Sequence, residues 1–544
     1  MIRHAMRARL AAAGCAALGL LSASAHADED WQAAGRRAVA EARSLAPVPG
    51  PAKNVVLFVG DGMGISTVTA ARILDGQLRG GSGEENLLAF ERLPYVALSK
   101  TYNTNQQVPD SAGTMTAMMT GSKTRAGVLS VDQTVPVGDH RAVAGHELET
   151  LFERAEKRGL ATGIVTTTRI THATPAACYG HSPERDWESD ASLSEAARAD
   201  GFPDLARQLV EFRAGDGLEV AFGGGRAQFQ PVSVPDPEYP KLHGERRDGR
   251  DLIAEWLARG PGYRYVWNRA GFEALDAGGA THVLGLFEPQ HMQWEAKRAQ
   301  DAAGEPSLAE MTTRAIELLR RNPKGFVLMV EGGRIDHGHH AGSAYLALHD
   351  TLAFSQAVQA ALEHVDLAST LVVVTADHSH VLTIAGYPQR GNPILGLVVS
   401  PDASGAPTAR PALDLTGRPY TTLGYANGPG YPGASDQQAE GAKHFPHRPK
   451  SAQGVSEGRP DLRGVDTQGP DFLQESAVPL ASETHGGEDV AIYAGGPGAQ
   501  LFHGVQEQNY VYHAIVAALG WDAPAVQDAG SPSRGFWQRL FGRP

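Results

Sequence analysis

Cysteine is almost absent from this sequence. Only Cys15 and Cys178 occur among its 544 residues, and Cys15 lies in a segment that we expect to be removed on export. The single remaining thiol cannot form an intramolecular disulfide bond. If the mature protein is very stable, a large hydrophobic core and bound metal ions are therefore the better explanations.

The chain also lacks an excess of positive charge. Its formal net charge is −13 and its pI is about 5.9, and no basic patch is visible, which excludes nucleic acid as the expected partner. Past the N-terminus, no stretch reaches the ~18 apolar residues of a membrane span, so we expect no transmembrane anchor. With 42% hydrophobic residues, the chain can form two to four domains or one large α/β core with insertions.

The first 27 residues have the pattern of a secretory signal peptide. Three arginines precede a short apolar run at 10–23, and Ala25 and Ala27 are small residues at the two positions that a signal peptidase reads. The alternative, an ordinary buried helix, does not explain the basic flank. We therefore expect an exported protein, either periplasmic or extracellular.

Short, β-branched apolar runs recur along the chain, and a polar cluster follows each of them. Such runs are typical of strands buried on both faces of a parallel sheet, and helical patterns at 147–158 and 308–321 lie between them. The alternation predicts an α/β fold with a doubly wound, mostly parallel central sheet flanked by helices. Ligands bind at the carboxyl ends of strands in such folds, which is where the polar clusters lie. The predicted strands are 55–59, 163–167, 326–330 and 371–375.

Two parts of the chain differ from this pattern. Residues 31–46 are an Ala-, Arg- and Glu-rich helix that either packs on a partner subunit or is a plain surface helix. Residues 411–479 are rich in glycine, proline and charge without a helical or strand period, and we interpret them as an inserted, loop-rich subdomain. A strand at 489–493 then returns to the core. The predicted boundaries are 1–27 for the signal peptide, 28–50 for an N-terminal helical arm, 51–410 for the core, 411–480 for the insert, 481–523 for the C-terminal part of the core and 524–544 for a tail.

The first two polar clusters contain Asp61 and Ser111. Asp61 lies in Gly-Asp-Gly-Met-Gly directly after a strand, where glycines let a ligand approach the backbone and the carboxylate can bridge two cations. Such Asp-Gly pairs are also common in turns. Ser111 follows Asp110 at the start of a helical run, where the helix dipole favours an anion. Taken alone, this segment is better explained as an ordinary helix N-cap.

The third cluster is the run from Glu331 to His340. Asp336 and His340 are four residues apart and share a helix face, which suits zinc. Glu331 lies nearer the strand end, where its oxygens can serve a harder ion. The other three clusters are Asp377-His378-Ser379-His380, the segment around His485 at 483–489, and Thr171-His172-Ala173-Thr174-Pro175.

Together and in this order, the six clusters resemble those of the alkaline phosphatases, in the branch that includes the animal enzymes. The resemblance runs from about residue 31 to residue 519 and includes Val-Glu-Gly-Gly-Arg-Ile-Asp-His-Gly-His-His at 330–340. It implies hydrolysis of phosphate monoesters through a phosphoserine intermediate, release of inorganic phosphate, and a homodimer. It also implies that the insert is similar to the crown region of the animal enzymes, near residues 420–431.

The resemblance implies two zinc ions and one magnesium ion per subunit. The implied ligands are Asp336, His340 and His485 for the first zinc ion, Asp61, Asp377, His378 and Ser111 for the second, and Asp61, Thr174 and Glu331 for magnesium. Ser111 is then the nucleophile and Arg185 binds the phosphate. His172 is expected to order magnesium-bound water, and His337 and His380 are expected to lie behind the ligands.

Elementary chemistry agrees with these roles. No histidine base is evident beside Ser111, so coordination to zinc would have to lower the pKa of its hydroxyl. Arg185 can hydrogen-bond two phosphoryl oxygens as a fork. Three divalent ions, four acidic ligands, the arginine and an ionised serine leave about two positive charges, which matches a phosphate dianion. This count assumes that Asp110 faces away from the metals.

A calcium site is a further implication of the resemblance. Glu238, the carbonyl of Phe287 and Glu288 match the calcium site of the animal enzymes. Glu305 stands where those enzymes have an aspartate, after a local insertion. Carboxylates with a carbonyl suit calcium, whereas the alternative is an ordinary acidic surface.

Two other functions remain open at this point. One is a phosphodiesterase of the same superfamily, whereas a sulfatase would need a Cys-x-Pro-x-Arg segment that is missing after Cys178. The other is a non-catalytic, exported phosphate- or metal-binding protein, although every expected ligand position is intact. The sequence does not identify the physiological substrate among small phosphate monoesters.

Overall fold

The computed structural model describes residues 30–275 and 278–521. The predicted signal peptide and the predicted tail at 524–544 lie outside the described residues. The chain divides into two compact units, the first ending at Ala46. The described part of the first unit is helix α1 (Trp31–Ser44), which has no buried residue. The side chain of Asp30 caps it by accepting a hydrogen bond from the N–H of Ala33 at 2.9 Å, so the predicted helix forms, while its packing on a partner stays a prediction.

The second unit begins at Pro47 and alternates strands with helices. Its described strands are β1 (Asn54–Gly60), β2 (Tyr95–Lys100), β3 (Ala161–Arg169), β4 (Val220–Gly224), β5 (Tyr263–Val266), β6 (His282–Leu286), β7 (Phe326–Glu331), β8 (Thr370–Ala376), β9 (Ser379–His380), β10 (Leu382–Ile384), β11 (Leu423–Gly428), β12 (Ser476–Pro479), β13 (His485–Gly486), β14 (Val490–Gly495) and β15 (Gly504–Glu507). Its described helices are α2 (Ile65–Leu78), α3 (Ser111–Thr120), α4 (Leu151–Lys157), α5 (Ala173–Ala176), α6 (Glu195–Ala199), α7 (Leu205–Val210), α8 (Arg226–Phe229), α9 (Leu252–Ala258), α10 (Arg269–Glu273), α11 (Glu295–Arg298), α12 (Leu308–Leu319), α13 (Arg334–His340), α14 (Ala344–His364) and α15 (Tyr510–Ala518).

Ten of these strands form one sheet in the order β15-β2-β14-β8-β1-β7-β3-β4-β6-β5. The run from β8 to β5 is parallel, with Val55 opposite Val327 on one side and Leu371 on the other. Strand β14 runs antiparallel to both of its neighbours. The predicted class, a mostly parallel α/β sheet flanked by helices, is confirmed.

The alternating side chains of β1 explain why its sequence is apolar throughout. Val55, Leu57 and Val59 pack into the core on one face of the sheet, and Val56 and Phe58 pack into the core on the other. A strand covered on both faces has no solvent side on which polar residues would be favoured. Each of the four predicted strands is present and extends one to four residues beyond its predicted bounds.

The helix ends depend on capping that the apolar pattern does not reveal. The helix predicted at 147–158 begins only at Leu151, because Thr150 and Glu153 form a capping box. The N–H of Glu153 donates to Thr150 Oγ1 at 3.1 Å, and the N–H of Thr150 donates to Glu153 Oε2 at 2.8 Å. The helix predicted at 308–321 ends at Leu319.

The insert at 411–480 contains two strands that its sequence pattern did not predict. Strand β11 pairs antiparallel with β10, which lies outside the insert, and parallel with β12. Its sequence, Leu-Gly-Tyr-Ala-Asn-Gly, has little β-propensity, so cross-strand pairing stabilises it. The rest of the insert consists mainly of loops and turns, in agreement with the predicted loop-rich subdomain, and the domain boundaries stay predictions. Among the described helices, none is long and apolar enough to cross a membrane.

Candidate active site

The predicted site residues lie at the carboxyl ends of four neighbouring strands, on one side of the sheet. Asp61 follows β1, His172 follows β3, Glu331 ends β7 and Asp377 follows β8. These strands are adjacent and parallel, so their carboxyl ends lie side by side. The sheet topology therefore brings together side chains that are up to 316 positions apart in the chain.

Ser111 is the first residue of α3, and Asp110 is the cap. Asp110 Oδ1 accepts the N–H of Gly113 at 3.0 Å, which leaves the Ser111 hydroxyl free of a capping role. Ser111 Oγ instead lies 3.2 Å from Nε2 of His378. The fold thus brings together Ser111 and His378, two residues 267 positions apart that were predicted to share one metal ion.

The first group of ligand-type atoms belongs to Asp336, His340 and His485. His340 Nδ1 lies 2.6 Å from the carbonyl of Glu483, and His485 Nδ1 lies 2.7 Å from the carbonyl of Pro109. A carbonyl only accepts, so each Nδ1 donates and each Nε2 is left with a lone pair. The two Nε2 atoms are 3.1 Å apart and lie 3.3 and 3.4 Å from Asp336 Oδ1. Three acceptors that face one another in this way fit a cation between them.

The second group surrounds His378. Its Nδ1 lies 3.2 Å from the carbonyl of Ser379, so its Nε2 carries the lone pair. This Nε2 lies 3.4 Å from Asp61 Oδ1 and 3.3 Å from Asp377 Oδ2. Burial lowers the pKa of His378 well below its usual value, and the neighbouring His485 lowers it further. The ring is therefore neutral, as a metal ligand must be.

The third group holds buried polar atoms that accept or donate no hydrogen bond among the described residues. Burial, followed by repulsion from Asp377, Asp336 and Glu331, raises the pKa of Asp61 well above its usual value. One oxygen of Glu331 accepts hydrogen bonds from Thr166 and Thr168, while the other has no partner. The unpartnered atoms are Asp61 Oδ1 and Oδ2, Glu331 Oε1, Thr174 Oγ1 and His172 Nδ1. Leaving such atoms buried is costly unless a ligand satisfies them.

Arg185 lies at the rim of these groups, and Asp110 pairs with it. Arg185 Nη1 is 3.2 Å from Asp110 Oδ2, and Nη2 is 3.3 Å from Nε2 of His172. Asp110 also accepts hydrogen bonds from Asn103 and from the N–H of Gly127, which fixes its position. Since this carboxylate touches the predicted phosphate-binding arginine, it belongs in the charge count and lowers the balance to about one positive charge.

Comparison with known proteins identifies the family. A profile of the alkaline phosphatase family matches residues 52–521. The chain is 45% identical over 490 residues to the tissue-nonspecific alkaline phosphatase of Gallus gallus, which covers 89% of this chain and 88% of that protein. The human tissue-nonspecific isozyme is 44% identical over 497 residues, with 89% and 88% covered. The chain belongs to the alkaline phosphatase family.

The structural comparison agrees with this assignment. The structure of Thermus thermophilus alkaline phosphatase is 26% identical, has a TM-score of 0.59, and covers 88% of this chain and 94% of that chain. The protein is thus a phosphoric monoester hydrolase, and neither a phosphodiesterase nor a non-catalytic binding protein is favoured.

The phosphatase places His380 behind the first group of ligand-type atoms. His380 Nε2 is 2.7 Å from Asp336 Oδ1, and Nδ1 is 2.6 Å from Glu483 Oε2. Although burial opposes the charge, Glu483 and Asp336 raise the pKa of His380 to about 10. The protonated ring donates from both nitrogens and so orients Asp336. No role was predicted for Glu483, although it lies two residues before His485.

A cluster of three imidazoles flanks the third group in the phosphatase. The rings of His172 and His337 pack against His291 at centroid distances of 5.4 and 4.3 Å. Arg169 Nη1 contacts His291 Nε2 at 2.6 Å and Arg169 Nε binds Glu188 at 2.7 Å. Sequence reasoning missed His291, Arg169 and Glu188, because none lies in a recognisable motif.

The predicted calcium residues divide into two sets. Glu238 and Glu288 face Asp301, with their oxygens within 4.8 Å of one another. Glu305 instead accepts the N–H of Gln293 at 3.0 Å, and burial and Glu288 raise its pKa to about 9. Asp301 was not predicted as a member of this group, and the assignment of Glu305 to the calcium site stays a prediction. Phe287 is buried beside Glu288.

Proposed function

We propose that Ser111 attacks the phosphorus of a phosphate monoester and forms a phosphoserine, which water then hydrolyses to release inorganic phosphate. The observation that supports this proposal is the set of facing acceptors around Ser111. His340, His378 and His485 direct unprotonated Nε2 atoms toward carboxylate oxygens. In water such acceptors would bind donors, so their convergence in a buried site indicates cations.

The donor chemistry fits two zinc ions and one magnesium ion. The imidazole-rich groups, Asp336 with His340 and His485, and Asp377 with His378, have the nitrogen and oxygen ligands that zinc prefers. The group of Thr174 and Glu331 with the second oxygen of Asp61 offers oxygen ligands, which suit magnesium. Zinc bound at the first two groups would lower the pKa of the attacking hydroxyl and water and stabilise the leaving oxygen.

The chain's own residues account for the positioning of substrate. The N-terminus of α3 directs backbone N–H groups toward an anion at Ser111. Arg185, held by Asp110 at 3.2 Å, can donate two parallel hydrogen bonds to phosphoryl oxygens. These contacts involve only the phosphate group of the substrate, so we expect the enzyme to accept many monoesters.

Three further parts of the proposal rest on family membership and on the sequence. The N-terminal 27 residues direct export to the periplasm or the medium, and the mature enzyme is a homodimer. Glu238, Phe287, Glu288 and Glu305, with Asp301 close to Glu238 and Glu288, bind one calcium ion. Their carboxylate and carbonyl oxygens are the ligand types that calcium prefers.

Turnover of a chromogenic phosphate monoester and metal content, measured together, test the mechanism. Ser111→Ala is expected to keep its metals and lose turnover, whereas Ser122→Ala, just past the end of the same helix, keeps both. Chelation of the wild type should abolish turnover although the serine remains. A Ser111→Ala enzyme with full metal and full turnover would refute the proposal. Turnover that survives chelation would instead favour His378 as the base that activates Ser111.

A further inference from the structure

A second acidic group, with one buried, one half-buried and one exposed member, lies at the end of the sheet opposite the active site. Glu156 is in α4, Asp216 is in the loop before β4, and Glu219 directly precedes that strand. One carboxylate oxygen from each lies within 4.8 Å of the other two. The group adjoins Thr162 at the start of β3, whereas Thr166 and Thr168 near the other end of that strand bind Glu331.

Glu156 is the centre of this group and is only partly satisfied. Its side chain is 2% exposed, and Oε1 accepts the Thr162 hydroxyl at 2.6 Å. Among the described residues, Oε2 has no partner with hydrogen-bond geometry, although the Asp216 N–H and the Glu219 carboxyl group lie near enough to lower the pKa of the Glu156 carboxyl group. A carboxylate oxygen buried without a partner costs free energy that a ligand can recover.

The surrounding backbone is shaped around this oxygen. Gly215 has a φ of +55°, and a Cβ on it would lie 2.3 Å from Glu156 Oε2. Glu219 Oε2 accepts the N–H of Thr162 at 2.7 Å, which holds the second carboxylate against the first.

We propose that Glu156, Asp216 and Glu219 form a binding site for a divalent, oxygen-preferring cation with the chemistry of calcium. Three carboxylates, one from α4 and two from the loop before β4, provide the hard oxygen ligands that calcium takes in proteins, and Asp216 is exposed, so water can complete the shell. The cation joins the end of α4 to the starts of β3 and β4. It lies roughly 15 Å or more along β3 from the carboxyl ends of the strands, where the active-site residues lie.

A proton shared between Glu156 and Glu219 is the competing explanation. Burial and repulsion from Asp216 raise the pKa of Glu156 to about 8, and burial and repulsion from Glu156 raise that of Glu219 to about 9. Near these groups lie Asp216, Arg259, Tyr263 and His282, of which His282 has a pKa lowered by burial. Protons on the two carboxyl groups satisfy the pair at neutral pH, but they are lost at alkaline pH, where a bound cation can neutralise the group.

Calcium binding by the intact, zinc- and magnesium-loaded enzyme tests the proposal. Equilibrium dialysis at about pH 9, where Glu156 is mostly ionised and a bound cation can displace the remaining proton of Glu219, uses Glu288→Gln as the background so that the other acidic group does not contribute. This background is expected to retain one calcium ion, and Asp216→Asn or Glu156→Gln is expected to lower the affinity at least tenfold. Glu149→Gln, an exposed acid paired with Lys157, is the matched control and should have no effect.

Thermal unfolding provides an independent readout. Added calcium should raise the melting temperature of the Glu288→Gln protein, and Asp216→Asn should remove this shift. Turnover of a monoester verifies folding, because the group lies far from the catalytic edge, and the exposed Asp216 position keeps the test valid if Glu156→Gln does not fold. If the Glu288→Gln protein retains no calcium, or if Asp216→Asn leaves its affinity unchanged, the group is a proton-sharing pair and the proposal is wrong.

Discussion

Replacing Glu483 by glutamine tests whether a residue that touches no substrate controls the first zinc site. Glu483 binds His380 at 2.6 Å, and His380 in turn binds Asp336 at 2.7 Å. Glutamine is nearly isosteric and can still accept the Val381 N–H that Glu483 accepts at 2.9 Å. The Glu483 carbonyl that contacts His340 is unchanged, so the substitution removes a charge and little else.

The size of the effect follows from the loss of this orientation. With Glu483 neutral, one of the two carboxylates that raise the pKa of His380 to about 10 is gone. The ring then holds Asp336 less firmly. Loss of such an outer partner typically lowers metal affinity by about 10- to 100-fold, which corresponds to about 1.4–2.7 kcal/mol.

The assay is a titration of turnover with zinc in a chelator-buffered solution. We expect Glu483→Gln to reach half-maximal activity at about 10- to 100-fold higher free zinc and to recover near-full turnover at saturation. Glu488→Gln is the matched control, because Glu488 binds Ser379 at 2.6 Å and does not contact His380. Equal zinc dependence of the two variants would show that the hydrogen bond that His380 donates to Glu483 does not help to orient Asp336.

Three further predictions use other parts of the structure. Arg185→Lys should raise KM and weaken inhibition by inorganic phosphate about tenfold or more, because a point charge cannot make two parallel hydrogen bonds. Steady-state kinetics measures both quantities, and unchanged phosphate inhibition would contradict the role of Arg185. Glu305 has a pKa raised from 4.5 to about 9, so its contribution to stability is present below pH 4.5 and is lost as pH rises through about 9. Glu305→Gln should therefore flatten the decline in the free energy of unfolding over this range, and a wild-type slope in denaturant titrations would refute it. Phe354 packs edge-on against Phe58 and Phe90 at 5.7 and 6.0 Å, so Phe354→Ala should cost about 3–5 kcal/mol, and a loss below about 1 kcal/mol would show that the cavity collapses.

The apolar runs were sufficient to predict the central sheet. A strand such as 55–59 or 326–330 is buried on both faces, so its apolar composition alone predicts a buried strand, without knowledge of the neighbouring strands. The same logic placed Asp61, Glu331 and Asp377 together, because parallel strands end at a common edge. Strand β11 was missed because its stability comes from pairing with β10 and β12 rather than from its own residues.

Contacts between distant side chains could not be predicted in this way. Asp110 and Arg185 are 75 positions apart, and their pairing changes the charge that faces a phosphate. The position of Asp301 close to Glu238 and Glu288 was also not predicted. Neither fact has a local signature, since both depend on the path of a loop.

The sequence by itself determined the fold class, the family and the identity of the residues at the catalytic edge. These follow from periodicity and from motifs, which are properties of short segments. Only the tertiary structure decided which atoms of those residues face one another, such as the Nε2 atoms of His340 and His485 at 3.1 Å. Only it also joined Glu156 to Glu219 at the far edge of the sheet. The physical reason is that the protonation, orientation and charge of a side chain depend on its neighbours in space, and the fold determines which residues are neighbours.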